Sequence, residues 1–252
     1  MPRVIITTCG TSLLTSNCWK DISKDPSILS PDLRNDPRQR VELEIRYAAY
    51  TKSYFDSGNP TGLAGQFDID VWNNTDFILK LPAELASLKA IIEFFARRNA
   101  PLNNQDSIVL LHSDNAEGRF CAQVIKEVLS TEIKISAPVT LHKVTGLDPS
   151  NVNQFNQALD SVWQDYINNQ INAQNDNEYI FNLTGGYKAT AMVLSALAYT
   201  MHCSAPVTIF YLHETTDYRN IAIFGWRNAQ LGAGYMDIPT GQFHSTFGPP
   251  LF

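Results

Sequence analysis

The stretch YIFNLTGGYKAT, residues 179–190, constrains the fold of this chain more than any other. An apolar run ends at Thr184, two glycines follow, and a long apolar segment begins after Lys188. This order predicts a buried strand, a tight turn and a helix start. Gly185 and Gly186 let an anion approach the backbone, and the unpaired N–H groups and dipole of the helix favour negative charge there. The stretch is therefore a candidate phosphate site, although Gly-Gly is also ordinary turn chemistry.

Short β-branched runs alternate with amphipathic segments along the rest of the chain. The predicted buried strands are 3–8, 107–111, 139–144, 179–183 and 207–212, and 220–224 is predicted as an antiparallel partner of the last one. The predicted helices are 41–55, a helix that starts at Pro82, 117–129, 152–167 and 189–201. This alternation predicts an α/β fold with a Rossmann-like, mostly parallel central sheet and helices on both faces.

One large domain is expected. With 252 residues and 44% hydrophobic content, the chain can bury a sizeable core. We assign residues 1–225 to this domain and residues 226–252 to a C-terminal tail, a candidate lid or dimer contact. Residues 57–65 contain Gly58, Pro60, Gly62 and Gly65. They are predicted to form an irregular loop, a second candidate lid, and residues 67–71 a short extra strand.

Composition excludes several classes of function. The net charge is −6 and only 17% of residues are charged, so a broad basic face for duplex nucleic acid is not expected. The four cysteines show no CxxC pair, which argues against structural zinc and for a reducing compartment. The sequence has no signal peptide and no run of about 18 apolar residues, so we expect a cytoplasmic protein without membrane contact. We expect no metal and no other cofactor.

A second polar turn follows the first predicted strand. Gly10 permits a turn there, and Thr11 and Ser12 supply two hydroxyls. The carboxyl end of a first strand is where open α/β sheets bind ligands, although the two hydroxyls are also suited to capping the next turn. His112 and Asn115 lie in a further polar cluster, after the strand at 107–111. Asn115 is a candidate ligand contact, whereas a lone His112 is more often structural.

At the carboxyl edge of the predicted sheet, the residues available for catalysis are polar groups that can position a substrate and one lysine, Lys188. No HExxH motif or nucleophile elbow is present, and Cys9 has no evident base. Such a site can promote attack by a nucleophile held within the substrate, for example an RNA 2′-hydroxyl on its own 3′-phosphate. Glu84 is assigned to a first helical turn, where the dipole favours it, with recognition of a base as the alternative.

Three segments resemble CRISPR-associated Rossmann-fold (CARF) domains: TTCGTSLL, LLHSDNAEGRFCAQVI and FNLTGGYKATAMVLSALAY. The likeness runs from about Arg3 to Phe224. It is closest to the type III CRISPR group that includes ring nucleases and the sensor half of Csm-type ribonucleases. It implies a homodimer that binds cyclic oligoadenylate, most often cyclic tetra-adenylate, across its twofold axis.

The same resemblance implies roles for individual residues. Ser12 would orient the ribose or phosphate, and Lys188 would stabilise negative charge during metal-independent cleavage to linear di-adenylate with a 2′,3′-cyclic phosphate. Because no winged helix or HEPN-type ribonuclease follows, we expect a stand-alone enzyme that switches off antiviral signalling. The alternatives are a non-catalytic sensor that regulates a separate or fused effector, and an ordinary nucleotide-binding metabolic enzyme. The candidate ligand-binding residues are Gly10, Thr11, Asn115, Thr184, Gly185, Gly186 and Tyr187.

Overall fold

A single sheet forms the centre of the described part of the chain, and it has eight strands. The computed structural model describes residues 1–23, 37–74, 81–146, 152–164, 176–186, 188–203, 205–212, 220–227 and 230–248. The strands are Arg3–Thr8 (β1), Ser107–Ser113 (β2), Val139–Val144 (β3), Glu178–Asn182 (β4), Val207–Leu212 (β5), Asn220–Arg227 (β6), Gln230–Asp237 (β7) and Phe243–Phe247 (β8).

The strand order is β3-β2-β1-β4-β5-β6-β7-β8. The first five in this order pair in parallel, and β6, β7 and β8 are added as antiparallel neighbours. From β1 the chain proceeds outward through β2 to β3, then returns to β4 on the other side of β1. Such a reversal opens a crevice at the carboxyl ends of the two central strands, and α/β proteins bind ligands there.

Helices cover both faces of this sheet, which confirms the predicted α/β, Rossmann-like class. The helices are Lys20–Ser23 (α1), Pro37–Asp56 (α2), Pro60–Ala64 (α3), Ile69–Asn73 (α4), Ala83–Arg97 (α5), Ala116–Glu127 (α6), Val152–Gln164 (α7) and Lys188–Met201 (α8). A 3₁₀ turn spans Ser12–Thr15, and a π-helical turn over Val128–Glu132 follows α6. In the described residues no helix is both long and apolar enough to cross a membrane.

Two hydrophobic cores lie on opposite faces because strand side chains alternate. In β1, Ile5 belongs to the core beneath α2 to α6. Val4 and Ile6 point the other way and pack with residues of α7 and α8. The strand and helix assignments made for these segments from their apolar patterns are confirmed, with ends that shift by a few residues.

Residues 57–65 differ from the prediction of an irregular loop. The Asn59 side chain accepts a hydrogen bond from the Gly62 N–H at 2.8 Å and caps α3. Leu63 is completely buried and Ala64 nearly so, and α3 packs against α6. Because the segment is anchored in the core, it is not a lid. The short strand predicted for residues 67–71 is also wrong, since only Phe67 makes a β-bridge and α4 begins at Ile69.

Residues 230–248 extend the sheet, although the sequence analysis placed them in a tail. β7 pairs with β6 over its whole length, from Asn220 opposite Asp237 to Arg227 opposite Gln230. The boundary drawn after residue 225 therefore falls inside β6. The sequence QLGAGYMD gave no strand signal, because small residues replace the usual β-branched ones. β7 lies three strands from β4, roughly 14 Å across the sheet, so β7 does not overlie the crevice within one chain.

Candidate functional site

The turns after β1 and β4 meet at the carboxyl edge of the sheet. These two strands are adjacent and parallel. A β-carbon built on Gly10 would lie 3.2 Å from both the Cα and the N of Gly186, so the backbones of the two turns are in contact. The Thr8 hydroxyl donates a hydrogen bond to the Gly185 carbonyl oxygen and holds the junction together.

Glycine is required at both positions of the second turn. A β-carbon on Gly185 would lie 2.7 Å from the Thr8 carbonyl oxygen and 2.7 Å from Glu84 Oε1. Gly186 has a φ of +79°, which residues with a side chain rarely adopt, and its β-carbon would lie 2.8 Å from Thr8 Cβ. The Gly185–Gly186 pair was predicted to let an anion approach the backbone. In the structure it lets the β4 turn pack closely against β1 and Glu84.

Glu84 is the residue that joins the first turn to α5. It is completely buried and lies in the first turn of that helix, where the dipole favours a negative charge. Its Oε1 accepts a hydrogen bond from the Gly10 N–H at 2.7 Å, and its Oε2 accepts one from the Ser12 hydroxyl at 2.5 Å. The N–H of Gly10 thus donates to a side chain of the protein, so it is not a donor for a ligand. With its side chain buried, Glu84 does not face a base.

Ser12 is fixed in position but still reachable. Its Oγ accepts the Ala83 N–H at 3.1 Å while its hydroxyl donates to Glu84, so Ser12 caps α5 from a distant part of the chain. Its side chain remains half-exposed. Thr11 is exposed and makes no side-chain capping bond to the following 3₁₀ turn, so the capping alternative does not hold for it.

A buried polar network supports these turns from below. The Asn182 amide donates to Thr7 Oγ1 at 2.5 Å and to Ser87 Oγ at 2.8 Å. Its Oδ1 accepts the Thr184 N–H at 3.3 Å. Ser87 in turn donates to the Glu84 carbonyl oxygen at 3.1 Å. The network connects β1, β4 and α5, so the geometry of the crevice is fixed by the core.

The other candidate ligand contacts lie at the same edge of the sheet. The Thr184 hydroxyl accepts the Leu212 N–H at 2.9 Å and joins the β4 turn to the end of β5. Asn115 follows β2, the other neighbour of β1, and its Oδ1 accepts the Gly118 N–H at 2.7 Å as the cap of α6. Its Oδ1 also accepts the Ser113 hydroxyl at 2.9 Å.

Lys188 begins α8, two residues after Gly186. Ser12 in turn follows Gly10 by two residues, and the two glycines are in contact. Ser12 and Lys188 therefore each lie two residues beyond a pair of touching glycines, at the same edge of the sheet. The side chain of Lys188 and the whole of Tyr187 lie outside the described residues.

Cys9 and His112 have structural roles. Burial raises the pKa of the Cys9 thiol well above its ordinary value, and the nearby Glu84 carboxylate raises it further. The thiol is therefore neutral and a poor nucleophile. His112 is nearly buried, belongs to β2 and has its Nδ1 2.7 Å from the Ser113 carbonyl oxygen. The structural interpretation given to a lone histidine agrees with this placement.

The chemistry of the edge is that of a held hydroxyl beside glycine turns and a helix start. In the part of the chain that the structure describes, no three His, Cys, Asp or Glu side chains are close enough to hold a metal ion. A half-exposed hydroxyl with fixed partners can orient an oxygen nucleophile. The N-terminus of α8 favours an anion at the neighbouring turn.

Comparison with protein families identifies the chain. The sequence model of a CRISPR-associated protein family, Cas_APE2256, matches residues 80–219. The chain belongs to this family. Comparison with curated proteins gave no match. The segment matched to the CRISPR-associated family contains Glu84, Asn115 and the Gly185–Gly186 turn, and it ends close to the start of β6.

The network behind the crevice of this CRISPR-associated chain is not evident from local sequence patterns. The sequence predicts Glu84 in a first helical turn, with recognition of a base as the alternative, and predicts no contact between Glu84, Ser87 and Asn182. One usable signal was present, because Asn182 interrupts the apolar run of β4 and a polar side chain in a buried strand must find hydrogen-bond partners. Which partners it finds depends on the strand order, which no local pattern gives.

Proposed function

We propose that this CRISPR-associated protein is a ring nuclease of the CARF type. It binds cyclic oligoadenylate, with cyclic tetra-adenylate as the first candidate, and cleaves the ring to linear di-adenylate with a 2′,3′-cyclic phosphate. The nucleophile is a ribose 2′-hydroxyl of the ring itself, so the reaction does not require a metal ion. Removal of the ring switches off the antiviral signal of a type III CRISPR system.

The contact between the Gly10 and Gly186 turns is the observation that carries this proposal. It lies at the reversal of the strand order, where ligands of α/β proteins bind. It brings the half-exposed Ser12 to the same crevice as the helix that begins at Lys188. The membership in a CRISPR-associated family supports the biological setting.

In the proposed reaction, Ser12 orients the ribose whose 2′-hydroxyl attacks. Positioning of this kind supplies several kcal/mol of a barrier. Lys188, together with N–H groups at the start of α8, stabilises the charge that develops on the phosphate, and such donors each contribute roughly 10²–10³ in rate. Thr11, Asn115 and the second turn hold the rest of the ring.

We also propose that the protein acts as a homodimer. An apolar groove of about 510 Å³ runs between α8 and the exposed face of β5 to β7. Its lining includes Leu183, directly before the candidate Thr184 turn, and Met192, which is 74% exposed. Tyr211 and Leu231 also line the groove and are partly exposed. A second copy bound there would place its own crevice beside the first, as a symmetric ring requires.

The test is incubation of the purified protein with cyclic tetra-adenylate in excess EDTA, with products identified by chromatography and mass spectrometry. We expect linear di-adenylate with a 2′,3′-cyclic phosphate. Lys188→Ala should reduce the rate by roughly 10²-fold or more. Lys52→Ala serves as the control, because Lys52 is an exposed helix lysine that pairs with Asp56 at 2.8 Å.

The same assay separates the alternatives. An intact ring after prolonged incubation with excess enzyme, combined with tight binding, would reject the nuclease in favour of the non-catalytic sensor. Absence of ring binding together with affinity for mononucleotides would instead support a metabolic nucleotide-binding enzyme.

A further inference from the structure

Within the described residues, the hydrogen bonds of Ser12 leave one acceptor position for a ligand. A serine hydroxyl has one donor and two acceptor positions. Its hydrogen is donated to Glu84 Oε2 at 2.5 Å, and one lone pair accepts the Ala83 N–H at 3.1 Å. The second lone pair remains on a half-exposed side chain. Ser12 is thus arranged to accept a hydrogen bond from a ligand hydroxyl, whereas a phosphate oxygen would need a donor.

Both side-chain oxygens of Glu84, behind Ser12, accept hydrogen bonds. The Gly10 N–H can only donate, so Oε1 is an acceptor, and Oε2 accepts from Ser12. The first turn of α5 favours negative charge at this position. A hydroxyl that donates to a carboxylate becomes a better proton acceptor, because its own proton can move to the carboxylate as it receives another.

We propose that Glu84 is a positioning residue for ring cleavage, which acts through Ser12 to accept the proton of the attacking 2′-hydroxyl. This inference rests on the proposed ring nuclease function. It changes the role of Ser12 from a group that orients the substrate to one that also relays a proton.

The proposed step is balanced without a further reactant. The 2′-oxygen forms a bond to the adjacent phosphorus, and the bond from phosphorus to the 5′-oxygen of the next nucleotide breaks. The 2′-hydroxyl proton passes to Ser12 Oγ while the Ser12 proton passes to Glu84 Oε2. The leaving 5′-oxygen takes a proton from water, and Glu84 returns its proton to solvent through Ser12. The products carry a 2′,3′-cyclic phosphate and a 5′-hydroxyl.

Two thiols near Glu84 do not compete for this role. Cys9 follows β1 and Cys121 lies in α6, and both are buried. Burial raises the pKa of each thiol, and the negative charge of Glu84 raises it further. Both thiols are therefore neutral, and neither accepts the proton that Ser12 passes to Glu84.

Glu84→Gln separates the chemical role from the structural one. The amide has nearly the same shape, and its oxygen can still accept the Gly10 N–H. Its nitrogen must donate to Ser12 Oγ, so both lone pairs of Ser12 become occupied and its hydrogen turns toward the ligand. The variant therefore keeps the connection between the turn and α5 but reverses the hydrogen-bonding state of Ser12.

The experiment measures single-turnover cleavage and equilibrium binding of cyclic tetra-adenylate for wild type, Glu84→Gln, Ser12→Ala and the double variant. We expect Glu84→Gln to cleave roughly 10²–10³-fold more slowly, since general-base catalysis contributes about that much. Its binding should change by less than about threefold, because the crevice keeps its shape. Glu117→Gln is the matched control, since Glu117 is an exposed acid in the first turn of α6.

The double variant distinguishes action through Ser12 from a general loss of structure. If Glu84 acts through Ser12, then Glu84→Gln should add little to the defect of Ser12→Ala, because residues that act as a unit are not additive. Additive defects, or a Glu84→Gln variant that cleaves as fast as Glu117→Gln, would overturn the relay while leaving the ring nuclease intact. A wild type that binds the ring but never cleaves it would overturn both proposals.

Discussion

Gly185 is the residue at which the two turns of the crevice are packed most tightly. A methyl group there would lie 2.7 Å from the Thr8 carbonyl oxygen, a backbone atom that cannot rotate away. The same methyl group would lie 2.7 Å from Glu84 Oε1. Substitution must therefore separate β1 from the β4 turn or displace the carboxylate.

Gly185→Ala should accordingly lower the free energy of unfolding by about 1–3 kcal/mol and weaken ring binding at least tenfold. Urea denaturation and a binding titration measure the two effects. Gly65→Ala is the control, because the nearest atoms lie 3.6 Å from its β-carbon and its φ is −63°. If the two variants were equally stable and bound the ring equally well, close contact of the turns would be unnecessary.

Asn182 tests the buried network that supports the crevice from below. Asn182→Leu keeps a similar volume but removes the donors to Thr7 and Ser87, so we expect a loss of about 1–3 kcal/mol in stability. Thr190→Val is the comparison, because the Thr190 hydroxyl is buried and has no hydrogen-bond partner in the described residues. Thermal denaturation should show Thr190→Val as neutral or stabilising. Equal losses in both variants would contradict a role for the network.

At the residue scale, the sequence predicts the positions of the two turns correctly. It does not predict the contacts that connect the first turn to α5. Gly10, Ser12 and the Gly185–Gly186 pair were recognisable because turn residues interrupt apolar runs. Glu84 was not recognisable as their partner, because its contact to Gly10 spans 74 positions of the chain. Such a contact follows from β1 and the start of α5 lying side by side, and no local spacing encodes that arrangement.

At the element scale, apolar runs bounded by turn residues predicted the ends of three strands, β1, β3 and β5. β1 and β5 are buried over nearly their whole length, whereas in the edge strand β3 only Val139 and Val144 are buried. α3 was missed because its residues are poor helix formers, and it is stabilised by the Asn59 cap and by burial of Leu63. β7 was missed because its glycines are tolerated only between paired strands.

The amino ends of β1 and β2 are joined by a buried ion pair that predicts a pH dependence of stability. Arg3 donates from Nε and a terminal nitrogen to the two carboxylate oxygens of Asp106 at 3.1 and 2.6 Å. Burial alone would raise the pKa of Asp106. The hydrogen bonds from Arg3 and the Asn103 backbone, with the charge of Arg3, instead hold this pKa below its ordinary value.

A depressed folded-state pKa means that the stabilisation is complete above the unfolded value of about 3.9 and is lost as the pH falls through the folded value. The unfolding free energy of wild type should therefore decrease between about pH 5 and pH 2, and Asp106→Asn should remove part of that decrease. Burial raises the pKa of Glu178, so its contribution to stability changes with pH in the opposite direction. The pH dependence of Asp106→Asn must therefore be compared with that of wild type, which contains the same Glu178.

Asp56→Asn is the control for this measurement, because Asp56 pairs with Lys52 on the surface and is 54% exposed. Its pH dependence should match that of wild type, since surface pairs contribute little to stability. The same acid-induced loss in wild type and in Asp106→Asn would show that the buried pair does not determine it.

For the whole molecule, the alternation of strands and helices predicted the three-layer fold, whereas the extent of the sheet was underestimated. The antiparallel strands β6 to β8 continue the sheet beyond α8. Phe224 and Trp226 pack only partly against the core beneath that helix. The added strands therefore create the apolar groove, which follows from the arrangement of the complete sheet and not from any one segment.

The proposed dimer gives the last prediction. Wild type should sediment with twice the mass of one chain, and Met192→Glu should shift it toward the monomer, because burying an unpaired charge in an interface is costly. Ring binding should weaken in parallel, since the symmetric ring needs both crevices. Ile45→Glu is the matched control: Ile45 is 64% exposed on α2, whose core lies on the opposite face of the sheet. If both variants remained dimeric, the twofold contact would lie elsewhere; if wild type were monomeric with and without the ring, the proposed dimer would be wrong.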